Sequence, residues 1–306
     1  MKTVELGNTG SQVSQCALGT MYFGTGISTA MSHQLLDQYV DAGGSFLDTA
    51  NNYAHWMPGA SGDESETVLG EWISMRKNRQ KLFLASKVGF DRSDEVPGLK
   101  ASQIIRWFEH SLQLMKTDYL DLYYAHCDDR DTPLEESLEA FDKLVKAGKV
   151  RYLGASNYRA WRLNEAIQTS KNKGWAEFCC IQQRKSYLYP IQNADFGGQV
   201  ASDPELEDYC QNKGITLLAY KPLLGGAYNR EDKEFPSVYV TGARLDVLVK
   251  MAEVKNICAN QLVLAWMVAK RIIPVMAASN TQHMKENLQA LDVVLSAEEI
   301  NTLDNA

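Results

Sequence analysis

Apolar residues fall into short runs rich in β-branched and aromatic side chains, separated by longer stretches in which they recur every three or four positions. The alternation persists from one end of the chain to the other. QCALG (15–19), SFLDT (45–49), LFLASK (82–87), YLDLYYAH (119–126), VRYLGAS (150–156), EFCCIQQ (177–183), ITLLAY (215–220) and IIPVMA (272–277) make eight strand candidates. Helical spacing covers 32–42, 64–75, 101–115, 134–147, 158–172, 204–212, 260–270 and 281–290, and a last helix starts at Ser296. Gly43, Gly148 and Gly214 stand just past three of these segments, where a chain leaving a helix turns left-handed. Strands that alternate with helices pair in parallel, and eight repeats predict a closed α/β (β/α)8 TIM barrel. The opening TVELGNTGSQVSQ alternates on either side of Gly7-Asn8 and Gly10, which predicts an N-terminal β-hairpin placed to close the bottom of the barrel.

The structural rival is a doubly wound open sheet, which carries a G-x-G-x-x-G turn after an early strand. Gly19, Gly24 and Gly26 in LGTMYFGTG have the wrong spacing for it. With no low-complexity linker and no internal repeat, residues 1–306 are read as one domain.

Composition narrows the partners. The 31 basic and 38 acidic residues leave a net charge of −7 with no basic run, which argues against a nucleic-acid surface. The start MKTVELGNTG has no apolar leader core, and no run reaches the roughly 18 apolar residues a membrane span requires. A cytoplasmic protein acting on a small molecule, monomeric or weakly self-associating, is expected. The six cysteines form no C-x-x-C, and no metal site is expected; Cys179 and Cys180, as strand neighbours, are expected on opposite faces. Free thiols in a reducing compartment account for them.

In a barrel, polar residues at the carboxyl ends of the strands converge on one mouth. Four qualify here: Asp48 ends the second run, Tyr53 follows it, Lys87 ends the third run and His126 the fourth. Singly, each has a structural alternative: a capping Asp, a packed Tyr, a solvated Lys, a core His. Together they suggest a mechanism. Asp48 at the end of a buried strand needs a cation, and Lys87 is the expected partner. An ammonium beside a phenol is expected to lower the Tyr53 pKa and make it a usable proton donor, while His126 hydrogen-bonds the same carbonyl oxygen.

On these residues the chain resembles the aldo-keto reductase superfamily over essentially its whole length. FLDTANNYAHW is similar to that family's Asp-Thr-Ala-x-x-Tyr motif, LFLASKVG to its lysine strand, DYLDLYYAH to its histidine strand, and KAGKVRYLGASNY to its Gly-Lys-x-Arg-x-x-Gly-x-Ser-Asn segment. The resemblance implies a catalytic tetrad of Asp48, Tyr53, Lys87 and His126. It also implies a nicotinamide cofactor, NADP or NAD, held extended at the mouth without a dinucleotide-binding fold. By the same resemblance Ser156, Asn157 and Gln182, with Gln183 as alternative, hold the carboxamide; Tyr220 stacks on the nicotinamide; and Lys221, Pro222, Leu223, Gly225 and Gly226 run beside the pyrophosphate. Gly19, Thr20, Met21 and Asp48 complete that side. Glu286 and Asn287 match the family's adenosine-contacting pair. Counting back from them, Ala277, Ser279 and His283 stand where many members carry basic anchors for the 2'-phosphate, so the usual NADPH contacts are weakened; Lys221 and Arg230 are possible substitutes. Substrate is expected among Met21, Tyr22, Phe23, His55, Trp56, His126 and the loop after it.

Two other readings follow. One is a cofactor-sensing regulatory subunit of the same fold, like the potassium-channel beta subunits; the other is a barrel lyase or isomerase using Lys87 as a Schiff-base nucleophile.

Overall fold

The computed structural model describes residues 1–92, 95–229 and 234–306. Eight parallel strands close into a barrel: β3 (Ala17–Gly19), β4 (Phe46–Asp48), β5 (Phe83–Val88), β6 (Leu120–Ala125), β7 (Val150–Ser156), β8 (Phe178–Arg184), β9 (Thr216–Tyr220) and β10 (Ile273–Met276), with β10 returning to pair with β3. Strands β1 (Thr3–Glu5) and β2 (Gln12–Ser14) precede them as an antiparallel hairpin. The connections are the helices α1 (Thr29–Asp41), α2 (Glu64–Arg76), α3 (Ala101–Met115), α4 (Leu134–Lys146), α5 (Ala160–Lys173), α6 (Pro204–Lys213), α7 (Ala243–Val254), α8 (Ala259–Ala269), α9 (Thr281–Gln289) and α10 (Ala297–Asp304).

All eight strand segments and the hairpin are where the apolar pattern predicts them. Helix α7 is an addition to the expected set. It has Gly242 before it instead of a capping side chain, and Leu245, Val247, Leu248, Met251, Ala252 and Val254 spread apolar groups around much of its circumference, which blurs the one-sided period.

Strand alternation separates two cores. One lies between the barrel and its helices; the other fills the barrel, where Phe46 meets Phe83 edge to face at 4.8 Å and Leu122, Tyr124, Leu218 and Ile273 pack with them. Leu6 and Val13 of the hairpin join this inner core with no exposed surface, so the hairpin does plug the bottom. Tyr124 fits because residue 154 is glycine: a Cβ there would sit 2.5 Å from the ring.

One expectation about the strands is overturned. The β7–β8 register shifts between Leu153 and Gly154, and this bulge turns Cys179 toward the inner core alongside Cys180, not away from it. All six cysteines are free. Among the described residues no helix is long and apolar enough to cross a membrane, and no cluster of His, Cys, Asp or Glu is arranged to hold a metal ion.

Helices α2 and α3 meet backbone to backbone at Gly70, where a Cβ would lie 2.0 Å from the Leu114 carbonyl oxygen and 2.8 Å from Met115 Cα. Backbone cannot swing aside as a flexible side chain does. Gly70→Ala is therefore expected to destabilise the protein by about 1–3 kcal/mol despite the better helix propensity of alanine. Thermal unfolding checks this: an unchanged Tm would show that the two helices separate at no cost.

Candidate active site

Asp48 closes β4 and Lys87 lies near the end of the neighbouring β5. Because Asp48 pairs with Ala85, and Ala85 and Lys87 are two residues apart, both charged side chains point into the barrel, where the small Ala85 leaves them room. Each is fully buried. The Lys87 ammonium donates to Asp48 Oδ1 at 2.5 Å, to the Thr49 carbonyl at 2.7 Å and to the Tyr53 hydroxyl at 2.6 Å. The other Asp48 oxygen accepts from Gln182 Nε2 at 2.8 Å, and the Tyr53 hydroxyl lies 3.2 Å from Oδ1. The buried carboxylate thus has the cation it requires, and all three ammonium protons are used.

Tyr53 rides on the loop between β4 and α2. Asn52 ties that loop to the Asp91 carbonyl at 3.0 Å, and Asp63 at its far end binds Arg92 at 2.7 Å and His110 at 3.0 Å. His126, directly after β6, sets its ring against Tyr53 at 6.1 Å and edge to face with Phe90 at 4.7 Å. Its Nδ1 is buried with no hydrogen-bond partner among the described residues.

The electrostatics correct one expectation. Tyr53 is pushed well above the ordinary tyrosine value, first by burial and then by the Asp48 carboxylate. The charge of Lys87 is spent on Asp48, so burial decides the direction. Lys87 itself is held down by burial, with Asp48 pulling it back up. His126 is pushed well below the usual histidine range by burial and then by Lys87, so its imidazole is neutral and remains an uncharged hydrogen-bonding group.

These groups face a cavity of about 1430 Å³ whose wall runs from Tyr53, Phe90 and His126 to Ser279, His283, Glu286 and Asn287. Gly19, Met21, Tyr22, Phe23, Asn157, Gln182, Tyr220, Lys221, Pro222, Leu223, Gly225, Gly226 and Ala277 line it between those ends. Asn157 is strained into the left-handed region at φ 61° and is clamped there: its side chain accepts from Tyr220 at 2.7 Å and Val200 N at 3.0 Å and donates to the His126 carbonyl at 2.9 Å. Of the two glutamines, Gln182 faces the cavity, while Gln183 is bound to Asn157 N and the Tyr158 carbonyl. At the far end Ser279 Oγ and His283 Nδ1 are 3.0 Å apart beside the first turn of α9.

Several residues named from sequence do not reach the wall. Thr20 is buried, bonded to the Asp48 carbonyl and Ser65, and Ser156 donates to the Gln182 carbonyl at 2.8 Å. His55 and Trp56 pack against each other at 5.3 Å away from the cavity, with Trp56 53% exposed. Arg230 lies outside the described residues. Conversely Phe90, Arg184 and Gln199 line the cavity without having been foreseen. For Arg184 the signal was available: it is two residues past Gln182 on one strand face.

Comparison with known proteins identifies an NAD(P)H-dependent oxidoreductase. The Aldo/keto reductase family model matches residues 16–306, and the chain belongs to that family. It is 28% identical to the uncharacterized oxidoreductase YrpG of Bacillus subtilis, over 100% of this chain and 95% of that protein. It is 30% identical to norsolorinic acid reductase A of Aspergillus parasiticus, over 97% of this chain and 78% of that protein. Among solved structures, a thermostable aldo-keto reductase in complex with the inhibitor epalrestat superposes with a TM-score of 0.79 at 29% identity, over 100% of this chain and 99% of that one.

Behind Lys87 lies a second buried acid. Glu66, on α2, accepts from Ser86 Oγ at 2.5 Å and has no paired cation among the described residues, and burial pushes its carboxyl up to about 7 against the pull of Ser86 and Ser111. An unfolded chain releases this proton near 4.5, whereas the folded protein keeps it until about 7. This group's contribution therefore falls as pH rises through that window and then levels off. Glu66→Gln is expected to raise Tm over wild type at about pH 8, with the gain closing near pH 5. Parallel Tm–pH curves for the two proteins would show that Glu66 does not titrate there.

Proposed function

We propose that this enzyme interconverts an aldehyde or ketone and the corresponding alcohol, with Tyr53 as the general acid and base. One observation carries the reading: the buried Lys87 ammonium bonds Asp48 and the Tyr53 hydroxyl together, beside a neutral His126 that shares the cavity wall. When bound, the reduced nicotinamide supplies the hydride. The chain does the rest. A carbonyl oxygen seated between Tyr53 and His126 gathers negative charge as its carbon is reduced, and the imidazole hydrogen bond steadies it. The Tyr53 O–H bond breaks and the O–H bond of the alcohol forms. Lys87, already 2.6 Å from that oxygen, stabilises the phenolate left behind. Oxidation runs the same steps backwards.

Lys87 is unsuited to Schiff-base chemistry. Its three N–H groups are occupied, and it does not reach the cavity wall. A regulatory role for residues 1–306, read as one barrel domain, lacks a supporting observation.

The fit of a dinucleotide rests on this chain's own groups. Gln182 brings an amide to the inner end beside the clamped Asn157, Tyr220 a ring, Gly225 and Gly226 a left-handed backbone without side chains at φ 71° and 89°, and Ser279, His283, Glu286 and Asn287 polar groups at the outer end. Tyr22, Phe23, Phe90 and Tyr220 all line the cavity, and these aromatic groups favour an aromatic carbonyl compound.

Tyr53→Phe tests the reading. Loss of the hydroxyl is expected to cut kcat by about two to four orders of magnitude while cofactor affinity changes by no more than a few-fold. A variant keeping half the wild-type kcat, with chemistry limiting, would remove Tyr53 from the mechanism.

Cofactor choice is the second test. No lysine or arginine occupies positions 277, 279 or 283, so NADPH is expected to bind no more than about a hundredfold better than NADH. Ser279→Arg combined with His283→Arg is expected to move preference toward NADPH. Dissociation constants of both nucleotides decide it; a wild type favouring NADPH over a thousandfold, unmoved by the substitutions, would assign the phosphate to other residues, Lys221 and Arg230 first.

A further inference from the structure

Arg184 ends β8 two residues beyond Gln182, about 6.6 Å closer to the mouth on the same strand face. It lines the cavity yet is only 9% exposed. Its Nε donates to the Tyr239 hydroxyl at 2.9 Å, its Nη1 donates to Gln199 Oε1 at 2.6 Å, and the guanidinium lies over the Phe196 ring at 4.2 Å. All three partners are neutral, and Nη2 is left unused by these contacts. No carboxylate among the described residues lies within 4.0 Å of it. Lys221, the first residue after β9 and held left-handed at φ 53°, lines the same cavity and likewise has no ion pair among the described residues. Arg184 pairs across the sheet with Tyr220, the residue before Lys221, and desolvation and then the like charge of Arg184 hold the Lys221 ammonium below the usual lysine range.

Cations left this way on a cavity wall are costly unless an anion arrives. The wall says where that anion sits. Gln199, which holds Arg184, belongs to the segment 196–200; in that segment Gly198 packs against Phe90, and Val200 N donates to Asn157 at 3.0 Å. Phe90 in turn abuts His126 at 4.7 Å. Arg184 is thus joined through one short segment to the ring that grips the reacting carbonyl.

We propose that Arg184, with Lys221 beside it, binds a carboxylate carried by the carbonyl substrate, so that the enzyme selects aldehydes or ketones bearing an acid group. The planar guanidinium fork suits a carboxylate, and the aromatic residues that line the same cavity, Phe90 beside His126 among them, suit the body of the same molecule. This rests on the reductase reading above and refines its substrate class.

The test compares para-formylbenzoate with its neutral isostere para-formylbenzamide. Wild-type kcat/KM is expected to favour the benzoate by tenfold or more, the range of a charge-assisted hydrogen bond. Arg184→Gln is expected to bring the ratio close to one without a matching loss in cofactor Kd, and Arg184→Lys to restore part of it. Equal wild-type kcat/KM for the two aldehydes would overturn the proposal, as would a fall in cofactor affinity equal to the fall in kcat/KM, which would make the cofactor's diphosphate the anion. If the variants fail to fold, benzoate inhibition of the wild type decides: competition with the aldehyde supports the proposal, competition with the cofactor refutes it. If neither aldehyde is reduced, the reductase reading fails separately, and calorimetric binding of the two aldehydes to wild type holding cofactor still settles this inference.

Discussion

A lysine and an aspartate with no exposed surface sit side by side inside the barrel, and much of the rest is arranged to tolerate them. Moving both charges out of water costs several kcal/mol each, and close pairing recovers that only when every remaining proton and lone pair is also satisfied. Thr49, Tyr53 and Gln182 provide those contacts. The pair also constrains register: a one-residue slip of β5 against β4 would turn Lys87 into the helix layer and leave Asp48 alone in the barrel. The strand pairing that closes the fold and the hydrogen bond that readies Tyr53 therefore depend on each other.

The two ends of the barrel divide the work. The bottom is dry, plugged by Leu6 and Val13 over Phe46 and Phe83, and has no chemistry to perform. The top carries the costs of function: a guanidinium and a buried imidazole nitrogen that have, among the described residues, no carboxylate and no hydrogen-bond partner respectively, and left-handed backbone at Asn157 and Lys221 directly after β7 and β9. Such positions persist because the packed layers around and beneath them supply the stability they consume.

Much of this was legible in the chain. The eight strands, the hairpin and the Asp48–Lys87 pair follow from alternation, turn glycines and the cost of a buried charge, all of which act over a few residues or between adjacent strands. What escaped depends on longer-range geometry. Helix α7 owes its position to packing, not to a clean amphipathic period. Cys179 faces inward because of a bulge set by the partner strand. His55 and Trp56 follow Tyr53 closely in sequence, yet the loop turns them away, with Ala54 left-handed at φ 61° between them and Tyr53. The sign of the Tyr53 shift needed both burial and the competing carboxylate, neither of which a strand pattern weighs.

Charge beside Arg184 and Lys221 differs in sign from charge on the whole. The chain carries a net −7, which at long range repels anions, although salt screens that repulsion beyond about 8–10 Å. Inside the mouth the charges are divided by position: Lys87 is cancelled by Asp48, Glu286 stands at the outer end beside Asn287, and Arg184 and Lys221 have no carboxylate partner among the described residues. In a low-dielectric cleft two such cations act more strongly than the same charges would on the surface. An anionic group that comes within a Debye length thus meets an attraction the outer surface does not offer, and discrimination falls to the wall beside His126.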